Sequence, residues 1–180
     1  INAQHDYVLV ICLHHIIADG LTIAILLQDL MAFYHSQAIV EPAIFNYTDY
    51  TVWQKSWLQA EVLDNQVRYW QNQLEAYEDL ELPYDYPRPA RLQHQGKQHY
   101  FVLPAALADN VRAFCKQHDL TSNMLLMAAF HWLLSRYSGQ TDIAVGIPAS
   151  NRPLPQLERM AGLFVNTLVI RSHIDSEQSG

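Results

Sequence analysis

Tyr7-Val8-Leu9-Val10-Ile11-Cys12-Leu13-His14-His15-Ile16-Ile17-Ala18-Asp19-Gly20 is the stretch on which the fold turns. Its opening run is almost wholly apolar, rich in β-branched residues and too short to cross a membrane, which predicts a strand buried on both faces. Alternation along a strand places Leu9, Ile11, Leu13 and His15 on one face and Val8, Val10, Cys12 and His14 on the other. The two histidines then point apart, and only one of them faces any given cavity. Gly20 supplies freedom for a turn, after which Ile23, Leu26, Leu27, Leu30 and Tyr34 recur at helical spacing. The reading is strand, turn, helix, with a titratable base at the end of the strand and a carboxylate just before the helix.

Each of these polar residues also has a plain structural role. Asp19 is placed as a helix N-cap, which alone stabilises by roughly 1 kcal/mol. A lone histidine after an apolar run is more often a hydrogen-bonded core residue than a reactive one. The complete string His-His-x-x-x-Asp-Gly across strand, turn and helix favours the functional role.

Outward from this stretch, a polar loop is expected at 36–41, then a Trp-rich helical region carrying Trp53, Trp57, Val67 and Trp70, with its aromatic residues packing in a core. Asp49, beside Tyr50, reads as a cap or local hydrogen-bond partner. Residues 78–96 hold Pro83, Pro87, Pro89 and Gly96 among mixed charges and divide the chain in two. Beyond them 98–103 reads as a strand, and Pro104 opens a helix with the stripe Leu107, Val111, Phe114, Cys115 and His118. Ser122 is placed as the cap of a helix over 124–137 that is apolar nearly all round and so deeply buried, with His131 as a satisfied core histidine and Gly139 as C-cap. Strands follow at 143–147 and 163–170. Helices alternating with strands give an α/β class, a two-layer sandwich.

Composition narrows the function. A chain of 180 residues with 50% hydrophobic content is long and apolar enough to build a core. Its formal net charge of −7 and lack of a basic run exclude a phosphate-backbone binder, so nucleic acid is not an expected partner. No apolar run reaches membrane length and no signal peptide is recognisable, so no membrane association is expected. Cys12 and Cys115 fall in apolar patterns far apart and read as buried thiols, which fits a reducing, cytoplasmic setting. No metal is expected: there is no His-Glu-x-x-His helix and no Cys-x-x-Cys pair, and adjacent histidines on a strand diverge. No Gly-x-Ser-x-Gly elbow points to a serine hydrolase.

The His14-to-Gly20 string resembles the signature of the condensation domains of nonribosomal peptide synthetases, within the wider superfamily of acyltransferases with the chloramphenicol acetyltransferase fold. Three further stretches are similar to that family's motifs. Tyr47-Thr48-Asp49-Tyr50-Thr51-Val52-Trp53 matches Tyr-x-Asp-(Phe/Tyr)-Ala-Val-Trp, with Thr51 where alanine is usual. Leu82-Pro83-Tyr84-Asp85-Tyr86-Pro87-Arg88-Pro89 resembles the proline-rich opening of the second lobe. Ala161-Gly162-Leu163-Phe164-Val165-Asn166-Thr167 resembles Gly-x-Phe-Val-Asn-Thr, preceded by an Ala-x-Asn-Arg-like stretch at Ala149-Ser150-Asn151-Arg152. The order and spacing fit the middle of a condensation domain, a fragment with the end of the N-lobe over 1–77, an inter-lobe linker over 78–97 and the start of the C-lobe over 98–180.

The resemblance implies a chloramphenicol acetyltransferase-like fold and amide (peptide) bond formation in nonribosomal peptide biosynthesis. A donor acyl or peptidyl thioester and an acceptor aminoacyl thioester would meet in a tunnel between lobes, each carried on the phosphopantetheine arm of a carrier protein. No directly bound cofactor is implied. Carrier domains for donor and acceptor, and an adjacent adenylation domain, are the implied partners. It carries His15 over as the catalytic residue, as general base or by positioning and stabilising the tetrahedral state. His14, Asp19 and Gly20 are carried over as supporting residues, Asp19 pairing with an arginine, and Asn166 as lining the tunnel. The isolated piece is expected to be inactive. The alternatives are an epimerisation domain or another His-x-x-x-Asp-Gly acyltransferase of the superfamily, and a non-catalytic remnant that docks carriers. The epimerisation family usually has Val-Ser-Trp after the glycine, where Leu21-Thr22-Ile23 stands here. Heterocyclisation domains carry paired aspartates in place of the histidines.

Overall fold

The computed structural model describes residues 7–36, 45–87, 89–91 and 96–175. Among them the chain forms helices α1 (Gly20–Tyr34), α2 (Tyr47–Trp57), α3 (Ala60–Gln73), α4 (Ala105–Gln117) and α5 (Ser122–Ser138) and strands β1 (Asp142–Ser150) and β2 (Val165–His173). A short 3₁₀ turn, Pro155–Leu157, lies between the strands. Backbone bonds from Asn151 N–H to the Phe164 carbonyl (3.2 Å) and from Ile174 N–H to the Thr141 carbonyl (2.7 Å) bracket the two-stranded ladder and make it antiparallel.

Helix ends follow the local chemistry. Asp19 caps α1 by accepting from Thr22 N–H. Asn46 and Asp49 form a reciprocal capping box on α2, which is the capping role expected of Asp49. Thr121, not Ser122, caps α5, its hydroxyl accepting from Met124 N–H. Threonine can supply the capping oxygen as serine does, and here the helix begins at Ser122, two residues earlier than the apolar pattern suggests. Gly139 ends α5 at φ 75°, the left-handed conformation in which glycine has no Cβ penalty.

The chain packs as two compact units. The first comprises residues 1–72 and 147–168. Its buried centre is Tyr50, Leu157, Met160 and Phe164, with Tyr47 packed against it. The Phe164 ring lies 4.7 Å from that of Tyr50 and edge-on, 5.2 Å, to that of Tyr47. The second comprises 73–146 and 169–180. There α4 packs on α5, and Cys115, His131 and Ile143 are buried. Arg171 ties this unit together. Its guanidinium is bidentate to Asp142 (2.5 and 2.8 Å) and its Nη1 donates to the carbonyls of Gln73 and Glu75.

Several expectations fail, mostly for one physical reason. Residues 7–13 and 98–103 are not strands: a strand needs a neighbour for its N–H and C=O groups, and neither run has a ladder partner among the described residues. Both runs are exposed, and Cys12 with them. In α1 the expected stripe is half-exposed, and Thr22 and Ile25 are the buried positions instead. α5 is apolar but mostly exposed, with His131 its one buried residue. Periodicity tells which side chains favour burial, not whether this chain supplies what covers them. His131 is also not a satisfied histidine: neither ring nitrogen has a partner. The polar loop expected at 36–41 lies outside the described residues from 37 onward, as do positions 88 and 92–95 of the proline-containing linker.

Candidate active site

The histidine pair sits immediately before α1, in a turn closed by Ile17 N–H donating to the His14 carbonyl at 3.1 Å. The turn replaces strand alternation here, so the divergence of the two rings expected from a strand does not apply. Both imidazoles are exposed. His14 Nδ1 accepts from Ile16 N–H at 3.1 Å, so that ring braces the turn. Among the described residues the His15 ring has no hydrogen-bond partner.

Four residues on, Asp19 is 2% exposed and saturated with donors. Its carboxylate accepts from Thr22 N–H (2.8 Å), Thr22 Oγ1 (2.8 Å) and Phe164 N–H (3.1 Å), and pairs with Arg152 Nη2 at 3.2 Å to each oxygen. Burial pushes this carboxyl group up. The bonds from Thr22 and Phe164 and the charge of Arg152 outweigh it and hold the group below the usual carboxylate range. Arg152 is itself enclosed. Its Nη1 donates to the carbonyls of Leu157 (2.5 Å) and Met160 (2.6 Å), and its guanidinium lies 3.9 Å from the centre of the Phe164 ring.

The same knot continues through Gly162. Thr22 Oγ1 bonds both its carbonyl (2.7 Å) and its N–H (3.0 Å). A Cβ at Gly162 would stand 2.2 Å from the Tyr47 ring, and Tyr47 is held in place by its hydroxyl, which donates to the Leu163 carbonyl at 2.6 Å. The Tyr50 hydroxyl accepts from Gln54 (3.0 Å) and Asn151 (3.4 Å). Residues from three motif stretches, Asp19, Tyr47 with Tyr50, and Arg152 with Gly162 and Phe164, therefore meet in one buried cluster. The condensation-domain family model matches residues 1–179.

The chain belongs to the condensation-domain family.

Among curated relatives, this condensation-domain chain is 37% identical over 171 residues to tyrocidine synthase 2 of Brevibacillus parabrevis, covering 94% of the chain and 5% of that protein. A solved four-domain nonribosomal peptide synthetase bound to AMP and glycine is 26% identical, with a TM-score of 0.76 over 89% of this chain and 12% of that one. The epimerization domain from the third module of tyrocidine synthetase B, 19% identical, superimposes with a TM-score of 0.75 over 92% of this chain and 39% of that chain, a likeness of fold. The chain thus spans a small part of these relatives. The expected class, α/β with a chloramphenicol acetyltransferase-like fold, holds.

Within this condensation-domain chain, Gly20 is the first residue of α1 and exposed, with open space where a Cβ would stand and no left-handed backbone. The turn freedom expected of it is not used; the glycine that close packing demands is Gly162. Asn166 is exposed on β2, two residues beyond Phe164. An apolar cavity of about 380 Å³ opens beside α2, lined by Phe45, Tyr50, Trp53, Leu154, Leu157 and Met160 with Asp49 and Gln156. None of these residues belongs to the histidine turn. Among the described residues no cluster of three or more His, Cys, Asp or Glu side chains is placed to hold a metal ion, and no helix is long and apolar enough to cross a membrane. Sequence alone leaves the arginine partner of Asp19 open and does not single out Thr22. A threonine in the first turn of an otherwise apolar helix was the available signal.

Proposed function

We propose that this chain is part of an enzyme that forms an amide bond between a carrier-bound acyl or peptidyl thioester and a carrier-bound aminoacyl thioester. The observation that carries the reading is an exposed imidazole, His15, four residues before a carboxylate anchored from four sides, in a chain of this family. A nucleophile-handling group must be reachable by substrate, while the frame that aims it must not move. The arrangement supports that division of labour.

A free α-amine has a pKa near 8 and is mostly protonated at neutral pH, so attack on a thioester needs a proton acceptor or an oriented hydrogen bond. In this reading His15 serves the attacking nitrogen, as base or by positioning. As the C–N bond forms, the thioester carbonyl becomes tetrahedral; its collapse expels the donor arm's thiol and leaves the amide on the acceptor arm. His14 braces the turn, and Asp19 fixes the start of α1. Gly20, with no side chain, leaves that helix start open to substrate, and Asn166 lines the opposite wall. Holding two tethered reactants in register contributes several kcal/mol by itself.

The two phosphopantetheine arms, their carrier domains and a neighbouring adenylation domain belong to the same proposal, as do the lobe assignment 1–77, 78–97 and 98–180 and a cytoplasmic setting. The test uses the full-length protein with donor and acceptor carriers loaded. Mass spectrometry of the acceptor arm should find it heavier by the donor acyl group. Hydrogen exchange at an α-carbon with no joined product would instead favour epimerisation. No change on either arm would favour a carrier-docking remnant and contradict the proposal.

A further inference from the structure

We propose that Thr22 is a positioning residue for this reaction: its hydroxyl clamps Gly162 to the first turn of α1 and so sets the His15 turn against the strand that carries Asn166. The inference rests on the amide-forming role argued for His15.

Thr22 is 1% exposed, and with Ile143 and His131 it is among the largest fully buried side chains. A threonine in the first turn of a helix usually bonds its own backbone or water. Here Oγ1 reaches a residue 140 positions away and bonds both of its backbone groups, the N–H at 3.0 Å and the carbonyl at 2.7 Å. One hydroxyl thereby does what a neighbouring strand residue would do. Its proton is shared between the Gly162 carbonyl and Asp19 Oδ1, at 2.7 and 2.8 Å. On its other side Gly162 is backed by the Tyr47 ring, so the residue is held between a hydrogen-bonding wall and an aromatic one. The next grip is Phe164 N–H on Asp19. Two anchors two residues apart fix both the position and the direction of the chain as it enters β2. His15 precedes α1 by five residues, so the geometry of imidazole and strand depends on this clamp.

Asp19 with Arg152 holds the charge; Thr22 holds the register. Thr22→Val keeps the shape and removes the hydroxyl, leaving a buried N–H and carbonyl at Gly162 unpaired. The loop must then shift to satisfy them. Misplacement of about an ångström at a reacting centre costs about a hundredfold.

The test measures single-turnover amide formation in the full-length protein, per folded molecule, across acceptor-carrier concentrations. Thr22→Val should lower the maximal rate by about 10²-fold with half-saturation little changed. Thr22→Ser keeps the hydroxyl and should stay within about fourfold of the parent, the loss of one buried methyl. If Thr22→Val does not fold, Thr22→Cys, with a weak donor, replaces it and should fall well below Thr22→Ser. Three results overturn the proposal: a hydroxyl-free variant at the parent's rate, serine falling as far as valine, or a change confined to half-saturation. His15→Ala run alongside separates the two ideas. If it reacts at the parent's rate, the role assigned to His15 fails and the clamp loses its purpose with it; if it is slow while Thr22→Val matches the parent, the role of His15 stands and the clamp alone fails.

Discussion

Replacing Arg152 by alanine removes more than one ion pair. The side chain is 4% exposed, and its partner Asp19 2%. Truncation strands a buried carboxylate, leaves the Met160 carbonyl without its donor, takes one of two donors from the Leu157 carbonyl, which keeps Met160 N–H, and empties the face of Phe164. Breaking one side of a buried pair costs about 3–5 kcal/mol. Asp19 keeps three donors from Thr22 and Phe164, which argues for the lower end, and the orphaned Met160 carbonyl raises it again. We expect about 4 kcal/mol, a large share of the roughly 5–15 kcal/mol that holds a protein folded. Urea unfolding followed by tryptophan fluorescence reads it, since the Trp53 ring lies 5.9 Å from that of Tyr50, beside the cluster. Asp19→Asn completes a double-mutant cycle: it keeps the shape and removes the charge left stranded, so the double variant should be more stable than the two single losses predict by about 1–3 kcal/mol. Arg152→Ala within about 1 kcal/mol of the parent, or a coupling under about 0.5 kcal/mol, would refute the reasoning.

The two glycines should part company. Gly162→Ala drives a methyl into Tyr47 and should cost about 1–3 kcal/mol by overpacking, whereas Gly20→Ala meets open space at the first position of α1 and should be neutral or stabilising by up to about 1 kcal/mol, read from the same unfolding curves. Acid should weaken the protein in two stages. His131 is buried, which pushes its imidazole below the usual histidine value; the unfolded chain then binds the proton first, and stability falls as pH drops below about 6.5. Asp19 and Asp142 are held below the usual carboxylate range, so their contributions are present above about pH 4 and are lost as pH falls further. His131→Leu should flatten the stability profile between pH 7 and 5 while leaving the lower stage in place; an unchanged upper stage would contradict the burial argument.

What the sequence discloses here is uneven, and the unevenness has causes. Helix α1, the strands near 143–147 and 163–170 and the Gly139 stop were legible because periodicity and turn chemistry are local. The run 7–13 has the composition of a strand but no ladder partner among the described residues, and no local pattern reports that. The same limit explains α5, apolar all round and still exposed. Asp19 was legible as a cap and as a member of a motif. Its pairing with Arg152, 133 residues away, was not, because the contact exists only once β1 and the following loop return to α1. Nothing local marks Thr22 as a tertiary clamp, because a polar residue near a helix start already has an ordinary role there.

The most direct measurement is single-turnover transfer by His15→Ala in the full-length protein, with both carriers loaded to the parent's level. A fall of about 10²-fold or more is expected, the range one acid–base group supplies, with loading and melting unchanged. Transfer at the parent's rate from equally loaded carriers would contradict it.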